Sequence, residues 1–168
     1  MELYVKHMQT PIGEITLYAN DRALIGLYMG KFDTKELPDR FQSAREQETP
    51  ILVAAQREIA DYFAGKLKEF TVPVEYKGTP FQEAVWRSLL DIGHGELRSY
   101  ADVAASIGKP LACRAVGGAV GRNPVSIIIP CHRVIGSNGT LTGFGGGLPV
   151  KTRLLQIEGH RVEGSRVA

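Results

Sequence analysis

Apolar positions change their spacing along this chain, and the changes divide it into segments. Near the start they come in short β-branched or aromatic runs: Leu3-Tyr4-Val5, Ile15-Thr16-Leu17-Tyr18 and Ala23-Leu24-Ile25-Gly26-Leu27-Tyr28. Turn signals at Thr10-Pro11-Ile12-Gly13 and Asn20-Asp21 separate them, which predicts an antiparallel meander. A charged stretch without clear period follows to about Glu48. Thr49-Pro50 then has the cap-then-proline signature of a helix start. Ile51, Leu52, Ala55, Ile59, Tyr62 and Phe63 recur at helical spacing, with Gly65 as the stop. Phe70-Thr71-Val72-Pro73-Val74 is a short strand candidate, set at a sheet edge by its proline.

A boundary is expected near Glu75-Tyr76-Lys77-Gly78. Thr79-Pro80 opens a second helix, with Phe81, Val85, Leu89 and Ile92 on one face and Trp86 beside it. Ser99 and Asp102 form a capping-box-like pair for a third helix that runs to about Ile107 and stops at Gly108-Lys109-Pro110. Another helix begins at once, with Leu111, Ala112, Ala115, Val116, Ala119 and Val120 as its apolar stripe. Two short helices across a tight turn are a helix-turn-helix candidate. Ile127-Ile128-Ile129 reads as a buried strand ended by Pro130. After the loop Gly143-Phe144-Gly145-Gly146-Gly147, a last helix runs from about Pro149 to Glu158 and stops at Gly159. The tail from Ser165 is expected to be loose. The fold class is therefore α+β: a small antiparallel-sheet domain (1–78), then a mostly helical domain (79–168) with a helix-turn-helix.

Composition narrows the setting. With 168 residues, 43% hydrophobic and 23% charged, the chain fits an ordinary globular protein. It has no apolar run long enough to span a bilayer and no secretory start, so a cytoplasmic location is expected. Two cysteines, Cys113 and Cys131, and four scattered histidines offer neither a disulfide framework nor zinc-ligand spacing. No metal or other cofactor is expected. The net charge of +2 is unevenly placed: residues 86–168 hold ten Lys/Arg against five Asp/Glu, whereas 1–85 hold ten against thirteen. Uneven surface charge and a polyanionic partner for the second half both fit.

Three places break local preference. On the second helix of the pair, 100° steps put Arg114, Gly117, Gly118 and Gly121 opposite the apolar stripe. Each glycine costs about 0.8–1 kcal/mol relative to alanine within a helix. A bare glycine face serves either tight packing inside the protein or close approach to nucleic acid, with Arg114 projecting from it. Glu158 falls in a last helical turn, where the macrodipole disfavours a carboxylate by about 0.3–1 kcal/mol. It is either solvated, or buried with a cationic or hydrogen-bonding partner. Cys131-His132 follows an apolar run. Taken singly, each is a buried core residue; with Glu158 they form a Cys/His/Glu set in which His takes the thiol proton and Glu holds the imidazole.

Pro130-Cys131-His132-Arg133-Val134, preceded by Asn123-Pro124 and by Arg114-Ala115-Val116-Gly117-Gly118-Ala119, closely resembles the O6-alkylguanine-DNA alkyltransferases. The resemblance covers roughly 79–160, including Gly78-Thr79-Pro80-Phe81-Gln82, Ser99-Tyr100, Leu154-Leu155 and Glu158-Gly159; residues 1–78 are similar to the family's variable N-terminal domain in outline. It implies single-turnover transfer of an alkyl group from O6-alkylguanine, and from O4-alkylthymine, in double-stranded DNA to Cys131. His132 is then the base, through a water, oriented by Glu158, and Tyr100 a donor to the leaving guanine. The nucleotide is flipped out, Arg114 fills the vacated stack, and Ala115, Gly117, Gly118 and Ser99 meet the DNA in the minor groove. Asn123 matches a hinge asparagine, and Ser126, Val134, Phe144 and Gly145 match the substrate pocket. Phe144 stands where a tyrosine is frequent, and Ser126 where some members have a proline, so the range of alkyl groups does not carry over. A monomer without an obligatory protein partner is expected.

Three rival readings are set against this one. A non-catalytic lesion binder of the same scaffold would lack Cys131. A helix-turn-helix regulator would carry Arg, Asn or Gln, not glycines, on its recognition face. A cysteine hydrolase usually draws its histidine from far along the chain.

Overall fold

The structure is a computed structural model that describes residues 2–29, 37–144 and 146–168. It divides into two compact units, Met1–Tyr76 with Pro124–Ser126, and Lys77–Asn123 with Ile127–Ala168.

In the first unit, β1 (Tyr4–Thr10), β2 (Gly13–Ala19) and β3 (Leu24–Met29) form the expected antiparallel meander. The β1–β2 turn uses Gly13 at φ 101°, a conformation that costs a side chain with a Cβ dearly. At the next turn the Asn20 side-chain oxygen accepts from the Arg22 and Ala23 amides, the Asx-type bonding expected of asparagine there. The sheet order is β3-β2-β1-β4, with β4 (Arg45–Glu46) parallel to β1. Five consecutive β2 residues, Ile15 to Ala19, are buried, so both faces of this central strand are covered. Phe41 of the one-turn helix α1 (Asp39–Gln42) packs with Leu3, Val5, Tyr18 and Ile25. Helix α2 (Pro50–Phe63) packs against β1, β2 and β3. Thr49 caps it by accepting from the Leu52 amide.

One expectation for this unit needs correction. The charged stretch before Glu48 holds α1 and β4; residues 30–36 fall outside the described residues. Residues 70–74 make one bridge, Val74 to Leu24, rather than a strand. The buried Glu58 carboxylate of α2 takes up the Thr71 and Val72 amides and the Thr71 hydroxyl, so these backbone donors are not free for a ladder.

In the second unit, α3 (Pro80–Leu89) starts at a Thr79/Gln82 capping box, and α4 (Tyr100–Ser106) at the Ser99/Asp102 pair. After Gly108 at φ 74°, the chain turns into α5 (Cys113–Gly121). The Trp86 indole N–H donates to the Ala119 carbonyl at 2.8 Å, tying α3 to α5. β5 (Arg98–Ser99) pairs in parallel with β6 (Val134–Ile135), which brings the start of α4 beside the residues following Cys131. Helix α6 (Leu148–Ile157) precedes a hairpin, β7 (Val162–Glu163) and β8 (Arg166–Val167).

Here too the sequence reading changes in places. Helix α5 starts at Cys113, not immediately after Pro110, so Leu111 lies in the turn and is fully exposed; Ala115 is exposed as well. Its buried stripe is Val116, Ala119 and Val120. Ile127-Ile128-Ile129 is buried but forms a turn, with Ile127 at φ 73°. The tail beyond Ser165 is ordered: Leu141 N–H donates to Ser165 C=O, and Val167 N–H to Gly139 C=O. Among the described residues no helix is long and apolar enough to cross a membrane.

Candidate active site and nucleic-acid interface

Cys131 is delivered by a strained turn. A β-branched residue at positive φ is a steric outlier, and Ile127 holds that conformation four residues ahead of the sulfur. Such strain costs about 1–3 kcal/mol and persists only where the surroundings fix it. Here the surroundings include Asn123, whose buried side-chain amide donates to the Ile129 carbonyl at 2.7 Å. Pro130 follows, and Cys131–Arg133 form a single 3-10 turn. Cys131 itself is buried.

His132 is wholly buried, and its Nε2 lies 2.6 Å from Glu158 Oε2. Glu158 is 6% exposed and caps the C-terminus of α6. The dipole penalty there is offset by Arg133, whose Nε and Nη2 donate to the two carboxylate oxygens at 2.7 and 3.1 Å. This bidentate fork is a strong form of charge-assisted bond. Arg133 Nη1 also donates to the Ile92 carbonyl at 2.6 Å. An ionised carboxylate only accepts, so the neutral imidazole carries its proton on Nε2. That leaves Nδ1 as the basic nitrogen; it is buried and has no hydrogen-bond partner among the described residues. Burial lowers the His132 pKa below the ordinary value. Glu158 opposes this shift, while the Arg133 and Lys151 charges add to it. The resting imidazole is therefore a neutral base.

Lys151 and Arg133 are the members of this centre that sequence reasoning missed. Lys151 has no exposed surface, and its ammonium donates to the Val134 carbonyl at 2.6 Å and the Thr142 carbonyl at 3.0 Å. Burial pulls its pKa down to about 8, against the opposing charge of Cys131 nearby. A signal was present, because Lys151, Leu154, Leu155 and Glu158 follow i, i+3, i+4, i+7 spacing and so share one helix face. Arg133 was visible within the motif, but its partner Glu158 lies 25 residues away.

Tyr100 opens α4, and its hydroxyl donates to the same Thr142 carbonyl at 3.3 Å. Val134 is buried, and Phe144 is half-buried, with its carbonyl accepting from the Gly147 amide. Ser126 is half-buried in the 124–126 stretch that groups with the first unit; Gly145 lies outside the described residues. On α5, Arg114, Ala115, Gly118 and Gly121 are exposed. An added Cβ would meet nothing within 4 Å at Gly118 or Gly121, and at Gly117 only the Tyr100 ring, 3.9 Å away. Internal packing therefore does not account for the glycines at 118 and 121. Ser99 is half-buried, and its hydroxyl accepts from the Asp102 amide in the α4 cap.

Fold and site together define a two-unit α+β protein with a buried Cys/His/Glu set beside a helix-turn-helix. Comparison with known proteins gives that class its family. Residues 80–160 match the model of the 6-O-methylguanine DNA methyltransferase DNA-binding domain, and residues 3–76 that of the same family's ribonuclease-like domain. The chain belongs to this family. It is 43% identical over 156 residues to the constitutive methylated-DNA–protein-cysteine methyltransferase of Bacillus subtilis, covering 92% of this chain and 94% of that one. A Methanosarcina acetivorans protein of the same description is 44% identical over 158 residues, covering 94% of this chain and 99% of that one. Among solved structures it is similar to a Mycobacterium tuberculosis relative in complex with DNA, with a TM-score of 0.83, 41% identity and 92% of each chain covered.

Proposed function

We propose that this protein repairs O6-alkylguanine in double-stranded DNA by moving the alkyl group onto Cys131 in one irreversible turnover. The observation that carries the reading is the buried Cys131-His132-Glu158 set in a chain similar to methylated-DNA–protein-cysteine methyltransferases over nearly its whole length. His132 Nδ1 takes the thiol proton, through an intervening water, and the Glu158 carboxylate stabilises the imidazolium that results. The sulfur attacks the alkyl carbon; the S–C bond forms as the C–O6 bond breaks. The electron pair leaves with guanine, whose ring nitrogen takes up a proton from solvent while the His132 imidazolium returns the thiol proton to solvent, so no net proton is gained or lost. The Tyr100 hydroxyl exchanges its Thr142 partner for the departing base. The thioether has no easy return, so each molecule acts once.

The flipped nucleotide reaches the buried sulfur, Arg114 takes its place in the stack, and the glycine face of α5 lies in the minor groove. Asn123 holds the Cys131 turn as a hinge, and Val134 and Phe144 line the alkyl and base pocket. Residues 79–168 perform the transfer and residues 1–78 support them, in a cytoplasmic monomer.

Titration of a duplex containing one O6-methylguanine tests the stoichiometry. Guanine should be restored in an amount equal to the protein added and then cease. Continued turnover would overturn the transferase reading in favour of a hydrolase.

A further inference from the structure

Leu111 is 99% exposed, far beyond the next most exposed large hydrophobic among the described residues, Val53 at 46%. It does not hang from a loose loop. Pro110 fixes the backbone before it, and the Ala112 N–H donates to the Lys109 carbonyl across the turn at 2.9 Å. The turn feeds directly into α5, and Arg114 follows three residues on. Within α5, Ala115 and Gly118 fall three residues apart on one face, and both are exposed, as is Leu111 in the turn that precedes them. Lys109 and Arg114, two residues before it and three after, are exposed cations flanking it in sequence. An apolar tip framed by cations suits a sugar-phosphate surface, whose charged edge meets the cations and whose deoxyribose and base edges meet the leucine.

We propose that Leu111 is an apolar DNA-contact residue, packing against the sugars of the groove that α5 enters, alongside Arg114. The proposal rests on the duplex-DNA reading above and adds to it a contact independent of charge. Apolar wedges at minor-groove base steps hold the duplex open, and Leu111 gives the Arg114 finger a second fixed point on the strand.

An apolar contact and a phosphate contact differ in salt dependence, since only the second releases counterions. Binding of the full chain to an O6-methylguanine duplex, measured by fluorescence anisotropy between 50 and 200 mM salt, therefore decides the matter. Leu111→Ser should weaken binding about tenfold at every salt concentration, the scale expected for losing one buried leucine. Its slope against salt should equal that of the unchanged protein. Leu111→Lys should instead steepen the logarithmic slope by about 1. Because the side chain touches so little of the protein, both variants should keep the unfolding midpoint. Binding by Leu111→Ser within twofold of the unchanged protein, or a loss that disappears as salt rises, would overturn the proposal and leave the transfer reading intact. Failure of the unchanged protein to bind the duplex would remove both.

Discussion

At the scale of single residues, the site depends on how Glu158 is shared. The carboxylate faces His132 on one side and the Arg133 fork on the other. Burial keeps the His132 base neutral against the pull of Glu158, and the Arg133 charge adds to that effect while the carboxylate still orients the ring. Glu158→Gln removes the anion but leaves Arg133 buried. Breaking a buried pair from one side costs about 3–5 kcal/mol, and chemical denaturation should show a loss of that order. Glu158 was legible in the sequence as a carboxylate at an unfavourable helix end. Its cationic partner was not, since no local pattern ties Arg133 to a residue beyond a loop and a helix. Lys151 was hidden for a related reason: a lysine on an amphipathic helix is ordinarily solvent-facing, and the carbonyls of Val134 and Thr142 take up its ammonium where it is buried.

Among the elements, α5 shows stability and use pulling apart. Gly118 and Gly121 have open space where a Cβ would stand, so alanine is sterically free at both. Each Gly→Ala change should raise stability by about 0.8–1 kcal/mol, the intrinsic helix gain. The added methyl groups would stand between the helix and DNA, so the same variants should transfer from duplex more slowly. A stabilised double variant with undiminished duplex transfer would remove this face from the DNA interface. The capping boxes at Thr79 and Ser99, the α2 cap at Thr49 and the meander were readable because local chemistry sets them. The Ile127 turn was not. Three successive isoleucines favour a strand, and the reversal of that preference comes from tertiary constraints such as the Asn123 bond to Ile129. The last hairpin was missed for a similar reason: short strands around Gly164 gain their order from Leu141 and Gly139.

For the molecule as a whole, the buried cation links stability to pH. Lys151 titrates near 8 in the folded protein and near 10.5 when exposed. Between those values the unfolded chain holds a proton that the folded chain has released, so rising pH favours folding. The stability of the unchanged protein relative to Lys151→Met should therefore increase from pH 8 to pH 10, by at most about 3 kcal/mol from the shift. Urea unfolding at a series of pH values measures it, and a pH-independent difference would contradict a buried, charged Lys151. His132 works in the opposite range. Its lowered pKa means the unfolded chain takes up a proton first as pH falls below about 6.5, so this contribution to stability is lost on the acid side. Two-part organisation was visible from the change in hydrophobic period and charge. How residues 124–126 group with the first unit was not, because that grouping rests on the Leu27 amide bonding the Pro124 carbonyl across nearly 100 positions.

The central claim is that Cys131 is a consumed reactant. Its direct measurement is peptide mass spectrometry after reaction with a duplex carrying O6-methylguanine. One methyl group should be found on the peptide bearing Cys131 and none on that bearing Cys113, in proportion to the guanine restored. Restored guanine with an unmodified Cys131 peptide would contradict the account.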